Sequence, residues 1–146
     1  MKKQVLSMIA LLSFVVTLTS VGYSNTGRIK ASIPFNFTVG NKTLPAGNYT
    51  VERVNSGVET LLIRSSENGM SAATITSGGK NAKAEAAAKL VFHRYGNTYF
   101  LAEVLEPGSE TARQLPTSSA ERNLQKRRSH LAENLAKPEI ITVVAQ

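Results

Sequence analysis

Apolar and polar side chains alternate along residues 29–39, and this period of two predicts a half-buried β-strand. Pro34 falls on the polar face, and because proline has no backbone N–H to donate, it predicts a sheet edge or a bulge. Turn residues at 40–42 and 44–47 end the strand, and a second strand begins at Tyr49. The apolar positions of the first strand are Ile29, Ile33, Phe35, Phe37 and Val39.

A hairpin is predicted where two β-prone runs flank Asn68 and Gly69, because both residue types accept the positive φ angles of a tight turn. If these two residues form the loop, Leu62 lies opposite Ile75. Leu62 and Ile63 then place apolar side chains on both faces of one strand. The pattern therefore predicts a strand that is covered on both sides.

A second hairpin joins strands 90–95 and 98–105 through a turn that begins with Gly96. A glycine in the first turn position is typical of a type II′ turn. This register places Phe92 opposite Leu101, and in the next pair it places His93 opposite Phe100.

The stretch between the two hairpins predicts an interruption of the sheet. Glycines and polar residues at 77–80 break the alternation. The Ala- and Lys-rich segment 83–89 has strong helix propensity but is too short to hold a helix alone. We therefore predict a connection with one helical turn.

The last third predicts a helix over about 119–136 and a closing strand over about 139–145. Ser118 and Glu121 have capping-box spacing, and Pro138 stops the helix. The predicted fold is mainly β: a small antiparallel barrel or sandwich of about seven strands, with one C-terminal amphipathic helix before the last strand. The predicted apolar stripe of that helix is Ala120, Leu124, Leu131 and Leu135.

The first residues predict export. A short positive start precedes an apolar run of about twelve residues, and a membrane-spanning helix needs about 20. A positively charged start, then an apolar run and then small residues indicate a signal peptide over 1–24. We predict cleavage after Ser24, or alternatively after Gly22. Residues 25–146 then form a single β-rich domain without a membrane span, and the mature protein is secreted or periplasmic.

The amino-acid composition limits the kinds of active site and metal site that the chain can form. The 146 residues include no cysteine, which excludes disulfides, thiolate nucleophiles and thiolate metal sites. All ten acidic residues are Glu, and the only histidines are His93 and His130. The net charge is +7, and loss of Lys2 and Lys3 with the leader leaves +5. A mildly basic exported surface favours salt-sensitive contact with polyanions.

Two clusters are candidate sites, and no catalytic, cofactor-binding or metal-binding residue is predicted. Lys126, Arg127 and Arg128 form the densest basic run and are candidates for contact with a polyanion, although a solvated helix face gives the same pattern. His93, Arg94 and Tyr95 form a candidate polar surface cluster that suits anion binding or proton transfer. The favoured alternative is structural, with His93 stacked across the strand pair on Phe100 and Arg94 covering Tyr99 on the opposite face.

Three stretches together resemble a group of small exported bacterial proteins without an assigned activity. They are 33–37 continuing through 44–49, then 90–96, then 115–118 with Glu121 and Arg122. The resemblance covers about residues 29–125. It implies export and a β-rich domain, and it carries over no functional residue.

The sequence therefore predicts an exported non-catalytic protein of structural or binding type. Its expected partner is a cell-envelope polyanion or another exported protein, and nucleic acid is not expected because the chain is exported and has no recognition module. One alternative is a β-barrel that carries a small ligand. A second is a glycan hydrolase using His and a pair of glutamates from among Glu52, Glu59, Glu85 and Glu103.

Overall fold

The computed structural model describes residues 27–54, 59–81, 83–132 and 137–146, so the predicted leader and the predicted turn at 55–57 lie outside the described residues. Eleven strands and one helix occur in the described chain. They are β1 Arg28–Ile33, β2 Phe37–Val39, β3 Lys42–Leu44, β4 Gly47–Arg53, β5 Thr60–Ser65, β6 Ser71–Ile75, β7 Ser77–Asn81, β8 Ala88–Tyr95, β9 Thr98–Leu105, β10 Thr111–Gln114, α1 Ser119–Ser129 and β11 Glu139–Ala145.

The strands form two sheets that pack as a sandwich. The first sheet has the antiparallel order β1-β4-β5-β6, and the second has the order β11-β8-β9-β10-β7. The hairpin β2–β3 joins the second sheet through a parallel pairing of Thr38 with Phe100. The two sheets meet where the Lys30 amide donates to the Gln146 carbonyl at 2.6 Å and the Gln146 amide donates to the Lys30 carbonyl at 2.9 Å.

The mainly β prediction and its sandwich alternative are confirmed, and the predicted number of strands is wrong. The sheets do not close into a barrel, because β1 and β11 pair with different neighbours and exchange backbone hydrogen bonds only at the Lys30–Gln146 corner. The described residues form eleven strands where about seven were predicted, because turns divide several runs into short strands on different sheets.

Pro34 divides the first predicted strand. β1 ends at Ile33 in the first sheet, and β2 begins at Phe37 in the second. Because proline has no N–H, the ladder cannot continue through this position, and the chain crosses between the sheets there. The predicted apolar face survives the crossing, since Ile33 and Phe37 are both buried between the sheets.

The core lies between the two sheets. Its largest fully buried side chains include Tyr49, Phe37 and Phe92. The Phe37 ring makes edge-to-face contacts with Tyr49 at 5.1 Å and with Phe92 at 5.6 Å between ring centroids. Such contacts join residues from both sheets, so apolar burial holds the sandwich together without disulfides.

The hairpin at Asn68 forms, but its predicted register is wrong. Leu62 pairs with Ala73 rather than with Ile75, because the loop also includes the residues at 66 and 67. The Ser65 hydroxyl accepts hydrogen bonds from the backbone amides at 67 and 68, which fixes a longer loop. Leu62 is half-buried and Ile75 is 65% exposed, so the strand pair is covered mainly on one side.

The hairpin at Gly96 confirms its predicted register. Phe92 pairs with Leu101, and Gly96 has a φ of 63°, as a Gly-first turn requires. Farther along, the pairing shifts between Val91 and Phe92, which leaves Ala102 as an extra residue in β9. Such a bulge allows Leu101 and Val104 both to enter the core, although a regular strand would turn them to opposite faces.

The predicted interruption at 77–80 is wrong. These residues belong to β7, which pairs with β10 at the edge of the second sheet. Gly79 allows this pairing, since a Cβ there would lie 2.8 Å from the Ala112 carbonyl oxygen. The predicted helical turn is also absent from 83–89, where an irregular segment leads into β8 at Ala88.

The C-terminal elements have the predicted order. β11 spans Glu139–Ala145 and pairs with β8, and α1 precedes it. The helix ends at Ser129, short of the predicted end at 136; residues 133–136 lie outside the described part. The described helix is neither long enough nor apolar enough to cross a membrane.

Candidate functional site

Helix α1 begins with a partial capping box. The Ser118 hydroxyl accepts a hydrogen bond from the Glu121 amide at 3.1 Å, which satisfies one free N–H of the first turn. The Glu121 side chain does not complete the box by returning to the Ser118 amide. It turns toward the second sheet, where only 4% of its surface is exposed.

The Glu121 carboxylate joins the helix to the β8–β9 hairpin. Its Oε1 atom lies 2.8 Å from His93 Nδ1 and accepts a hydrogen bond from the Tyr95 hydroxyl at 3.1 Å. Gln125, one turn later on the same helix face, donates from Nε2 to the Tyr95 oxygen at 2.5 Å. The helix therefore rests on the sheet through a polar network rather than through an apolar stripe.

The hydroxyl of Tyr95 remains a hydrogen-bond donor at neutral pH. Burial raises the pKa of Tyr95 above its ordinary value; the Gln125 amide opposes this shift and the Glu121 carboxylate adds to it. A protonated phenol can donate to the carboxylate, which is the direction that the network requires.

The predicted amphipathic stripe of α1 is wrong. Ala120 is exposed, Leu131 is 79% exposed beyond the helix end, and Leu135 lies outside the described residues. The face that contacts the sheet carries Glu121, Leu124, Gln125 and Arg128. The buried hydrogen bonds of Glu121 fix the rotation of the helix, and this rotation turns Ala120 to solvent.

The polar cluster 93–95 divides between the two faces of β8. His93 and Tyr95 point toward α1, whereas Arg94 points to the other face, as alternation in a strand requires. Arg94 donates from Nε to the Gly96 carbonyl at 2.7 Å and pairs through Nη1 with Glu139 at 3.2 Å. Its guanidinium also lies 5.6 Å from the centroid of the Tyr99 ring, so the expected cover of Tyr99 is confirmed.

The predicted basic run also divides. Lys126 and Arg127 are exposed, whereas Arg128 is half-buried and its Nη1 lies beside Gly96 at the tip of the hairpin. Arg122 is exposed one turn before Lys126 and joins the outward face. We call Arg122, Lys126 and Arg127 the basic face of α1.

Sequence reasoning missed Arg122 and misjudged Glu121. Arg122 stands at i,i+4 from Lys126, and that spacing alone would have placed both on one face. Glu121 was predicted from its capping-box spacing with Ser118, but its side chain is buried on the side of the helix opposite the basic face. Nothing in the sequence marks Glu121 as buried, because acidic residues at this position ordinarily remain in solvent as helix caps.

A recess opens beneath α1, beside the buried carboxylate. It has a volume of about 160 Å³, and its polar lining consists of His93, Glu103, Gln114, Thr117 and Glu121. Gln114 donates from Nε2 to Glu103 Oε1 at 3.1 Å. No group of three or more His or Glu side chains within the described ranges is arranged to hold a metal ion.

A separate charged cluster connects the two sheets at another place. Arg53 of β4 and Arg113 of β10 both donate to Glu106, each at 2.9 Å, and Arg113 also pairs with Glu59. Burial would raise the pKa of Glu106, but the hydrogen bonds from the two guanidinium groups outweigh it and hold that pKa below its ordinary value. All the cations in this cluster are used in ion pairs, so we assign it a structural role.

Comparisons with protein-family models, curated proteins and solved structures gave no match.

Proposed function

We propose that the chain is an exported, non-catalytic binding protein, and that the basic face of α1 contacts acidic polymers of the cell envelope. The observation that supports this most directly is the separation of charge across the helix. Arg122, Lys126 and Arg127 face solvent, while Glu121, the acidic residue of the described helix, is buried against the sheet. The basic face therefore has no acidic neighbour within the described helix, Ser119–Ser129.

The like charges of the basic face destabilise the helix when no partner is bound. Like charges at i,i+4, such as Arg122 and Lys126, destabilise a helix by about 0.2–0.5 kcal/mol. The helix does gain from cations in its last turn, where they oppose the negative end of its dipole. Arg122 lies in the first turns and gains nothing from that effect. Its guanidinium donates a hydrogen bond to the neutral Thr117 carbonyl, so its charge can still be matched by an anionic partner.

Contact of this kind is electrostatic and sensitive to salt. The three side chains are exposed, and the Debye length is about 8 Å at physiological ionic strength. A polymer with closely spaced sulfate, phosphate or carboxylate groups can bind several of these cations together, whereas single anions are screened. We therefore expect retention on a polyanion resin that falls steeply as salt rises.

The test is the salt concentration that elutes the protein from immobilised heparin. The double variant Lys126→Glu with Arg127→Glu should elute at clearly lower salt than the unmodified protein. The control variant, Lys30→Glu with Arg64→Glu, changes the net charge equally, but its two exposed positions lie on the first sheet. An equal loss of retention in both variants would contradict a dedicated basic face.

Export belongs to the same proposal and has its own measurement. The intact mass of protein from the exported fraction should correspond to a chain that begins at Asn25. A mass that retains residues 1–24, in protein recovered from the cytosol, would contradict export.

The two alternatives receive less support from the described structure. A ligand carrier would need an interior space, but the sheets do not form a barrel, and a recess of about 390 Å³ lies instead at the surface between β1 and β11. For a hydrolase, three of the four suggested glutamates are committed elsewhere, since Glu52 pairs with Arg28, Glu59 with Arg113 and Glu85 with Lys89. Glu103 is therefore left without a partner from the suggested set. We therefore do not propose either function.

A further inference from the structure

We propose that β11 pairs with the β11 strand of a second copy of this chain, antiparallel about a two-fold axis at Thr142. The second sheets of the two copies then form one continuous sheet. β11 is an edge strand, because β8 pairs with one of its sides and no described strand pairs with the other. None of the residues involved belongs to the basic face of α1, so this inference does not depend on contact with a polyanion.

Alternate residues of β11 direct their backbone groups away from β8. The amide and the carbonyl of Gln146 both bond to Lys30 of β1. Because successive residues of a strand direct these groups to opposite sides, Ile140, Thr142 and Val144 also direct theirs away from β8. Within the described ranges, no backbone group bonds to these three residues on that side, so the strand presents a row of free donors and acceptors.

The side chains of β11 offer no protection against strand pairing. Ile140 is 57% exposed and Val144 is 63% exposed. Edge strands are ordinarily protected by a charged residue, a proline or a bulge. Residues 140–145 contain no charged residue and no proline, and their pairing with β8 is regular. We conclude that the free edge of β11 is suited to contact with another strand.

The strand is complementary to itself in one register. When Thr142 faces Thr142 of the second copy, Ile140 faces Val144, and the free backbone groups of all three residues bond in pairs. Pro138 then faces Gln146 of the other copy. Proline has no N–H to donate, and β1 already occupies the groups of Gln146, so both ends of the pairing are defined. A contact of this kind is isologous and closes at two copies.

The recess between β1 and β11 supplies charge complementarity. It has a volume of about 390 Å³, and its lining includes Lys30 and Ala145 but no acidic side chain. In the proposed register, Glu139 of the second copy lies opposite Ala145, with its side chain on the face of the sheet that carries Ala145. The carboxylate can therefore enter the recess and pair with Lys30. Its present pairing with Arg94 is exposed to solvent, so its loss costs little.

The test is sedimentation equilibrium of the exported protein over a series of concentrations from micromolar to millimolar. The mass should rise from one chain to two and no further. Thr142→Pro should weaken the dimer by at least about tenfold, because it removes two hydrogen bonds between the copies. It should leave the pairing with β8 intact, because the lost N–H faces the free edge.

Ala73→Pro is the matched control, since it places proline at the edge of the first sheet. The Thr76 amide donates to the Glu59 carbonyl across the ladder, so alternation directs the Ala73 amide away from β5. This variant should form the dimer as the unmodified protein does. Circular dichroism checks that both proline variants are folded.

Reversal of charge tests the register separately. Glu139→Lys should weaken the dimer by about tenfold, because it places two lysines together in the recess. Addition of Lys30→Glu should restore most of the lost affinity, since the pair is re-formed with its charges exchanged. Both positions are exposed, so these variants remain informative if Thr142→Pro does not fold.

Four results would overturn the proposal: a single-chain mass up to millimolar concentration, association that continues beyond two copies, an unchanged dimer in Thr142→Pro, or no recovery in the charge-exchanged variant. Failure of the proposed function is distinguishable from these. Thr142→Pro, loaded on heparin at a concentration where the unmodified protein is monomeric, should keep its retention, whereas the Lys126 and Arg127 variant should lose retention and keep the dimer.

Discussion

Replacement of Glu121 by alanine should loosen α1 from the second sheet and lower the free energy of unfolding. The carboxylate accepts hydrogen bonds from His93 and Tyr95 in a site where only 4% of its surface is exposed. A hydrogen bond to a charged group contributes about 1.5–3 kcal/mol. Water can partly replace the bond to His93, whose side chain is 29% exposed, and Tyr95 keeps its bond to Gln125.

These losses combine to an expected cost of about 2–3 kcal/mol. A further few tenths of a kcal/mol follow from removing a negative charge from the first turn of the helix. Urea unfolding, followed by circular dichroism and tyrosine fluorescence, measures the change. With a slope of about 1–3 kcal/mol/M, the midpoint should fall by about 0.7–3 M.

A double-mutant cycle measures how much of this stability depends on the contact between His93 and Glu121. We expect His93→Ala and Glu121→Ala to couple by about 1–2 kcal/mol, because the two side chains are in direct contact. Glu110→Ala, at an exposed site, should change stability by less than about 0.5 kcal/mol. If Glu121→Ala costs no more than this control, the carboxylate does not anchor the helix and our account of its rotation fails.

Two further predictions concern the sheets. Gly79→Ala should lower the free energy of unfolding by about 1–3 kcal/mol, because the new Cβ would lie 2.8 Å from the Ala112 carbonyl oxygen. Gly78→Ala should be nearly neutral, since the atom nearest to its new Cβ is 3.9 Å away. Thermal unfolding of both variants measures the difference, and equal losses of stability would contradict the close approach. Glu106→Gln should cost about 1–2 kcal/mol at pH 7. Because the folded-state pKa of Glu106 is lowered, its contribution is present above its ordinary pKa and is lost as pH falls through the folded value. Urea unfolding between about pH 5 and pH 2 should therefore show a shallower pH dependence in the variant, and an unchanged slope would contradict the ion-pair account.

Short-range patterns predicted the parts of the fold that local chemistry controls. The Gly96 turn and the pairing of Phe92 with Leu101 were predicted correctly, because a two-residue loop fixes the register of the strands that it joins. The closing strand was also predicted correctly from its apolar run. The hairpin at Asn68 was predicted correctly, but its register was not, because the Ser65 side chain stabilises a longer loop.

The candidate site was predicted only in part. The sequence indicated His93 and the basic run at 126–128 as candidate sites. His93 lies in the β8–β9 hairpin and the basic run lies in α1, which packs against that hairpin. It did not indicate that α1 contacts the hairpin through Glu121 and His93. That contact joins residues 28 positions apart in the chain, and no local pattern specifies it.

The sequence by itself determined the mainly β class, the apolar face of the first strand and a disturbance of the ladder at Pro34, although it predicted one strand over 29–39 rather than two. These follow from alternation and from the missing N–H of proline, which act over a few residues. Only the tertiary structure decided that the chain crosses between two sheets at Pro34, that the sheets remain a sandwich, and that α1 turns its acidic residue inward. Each of these depends on which distant groups compete for burial and hydrogen bonds, and that competition is settled only when the sheets pack.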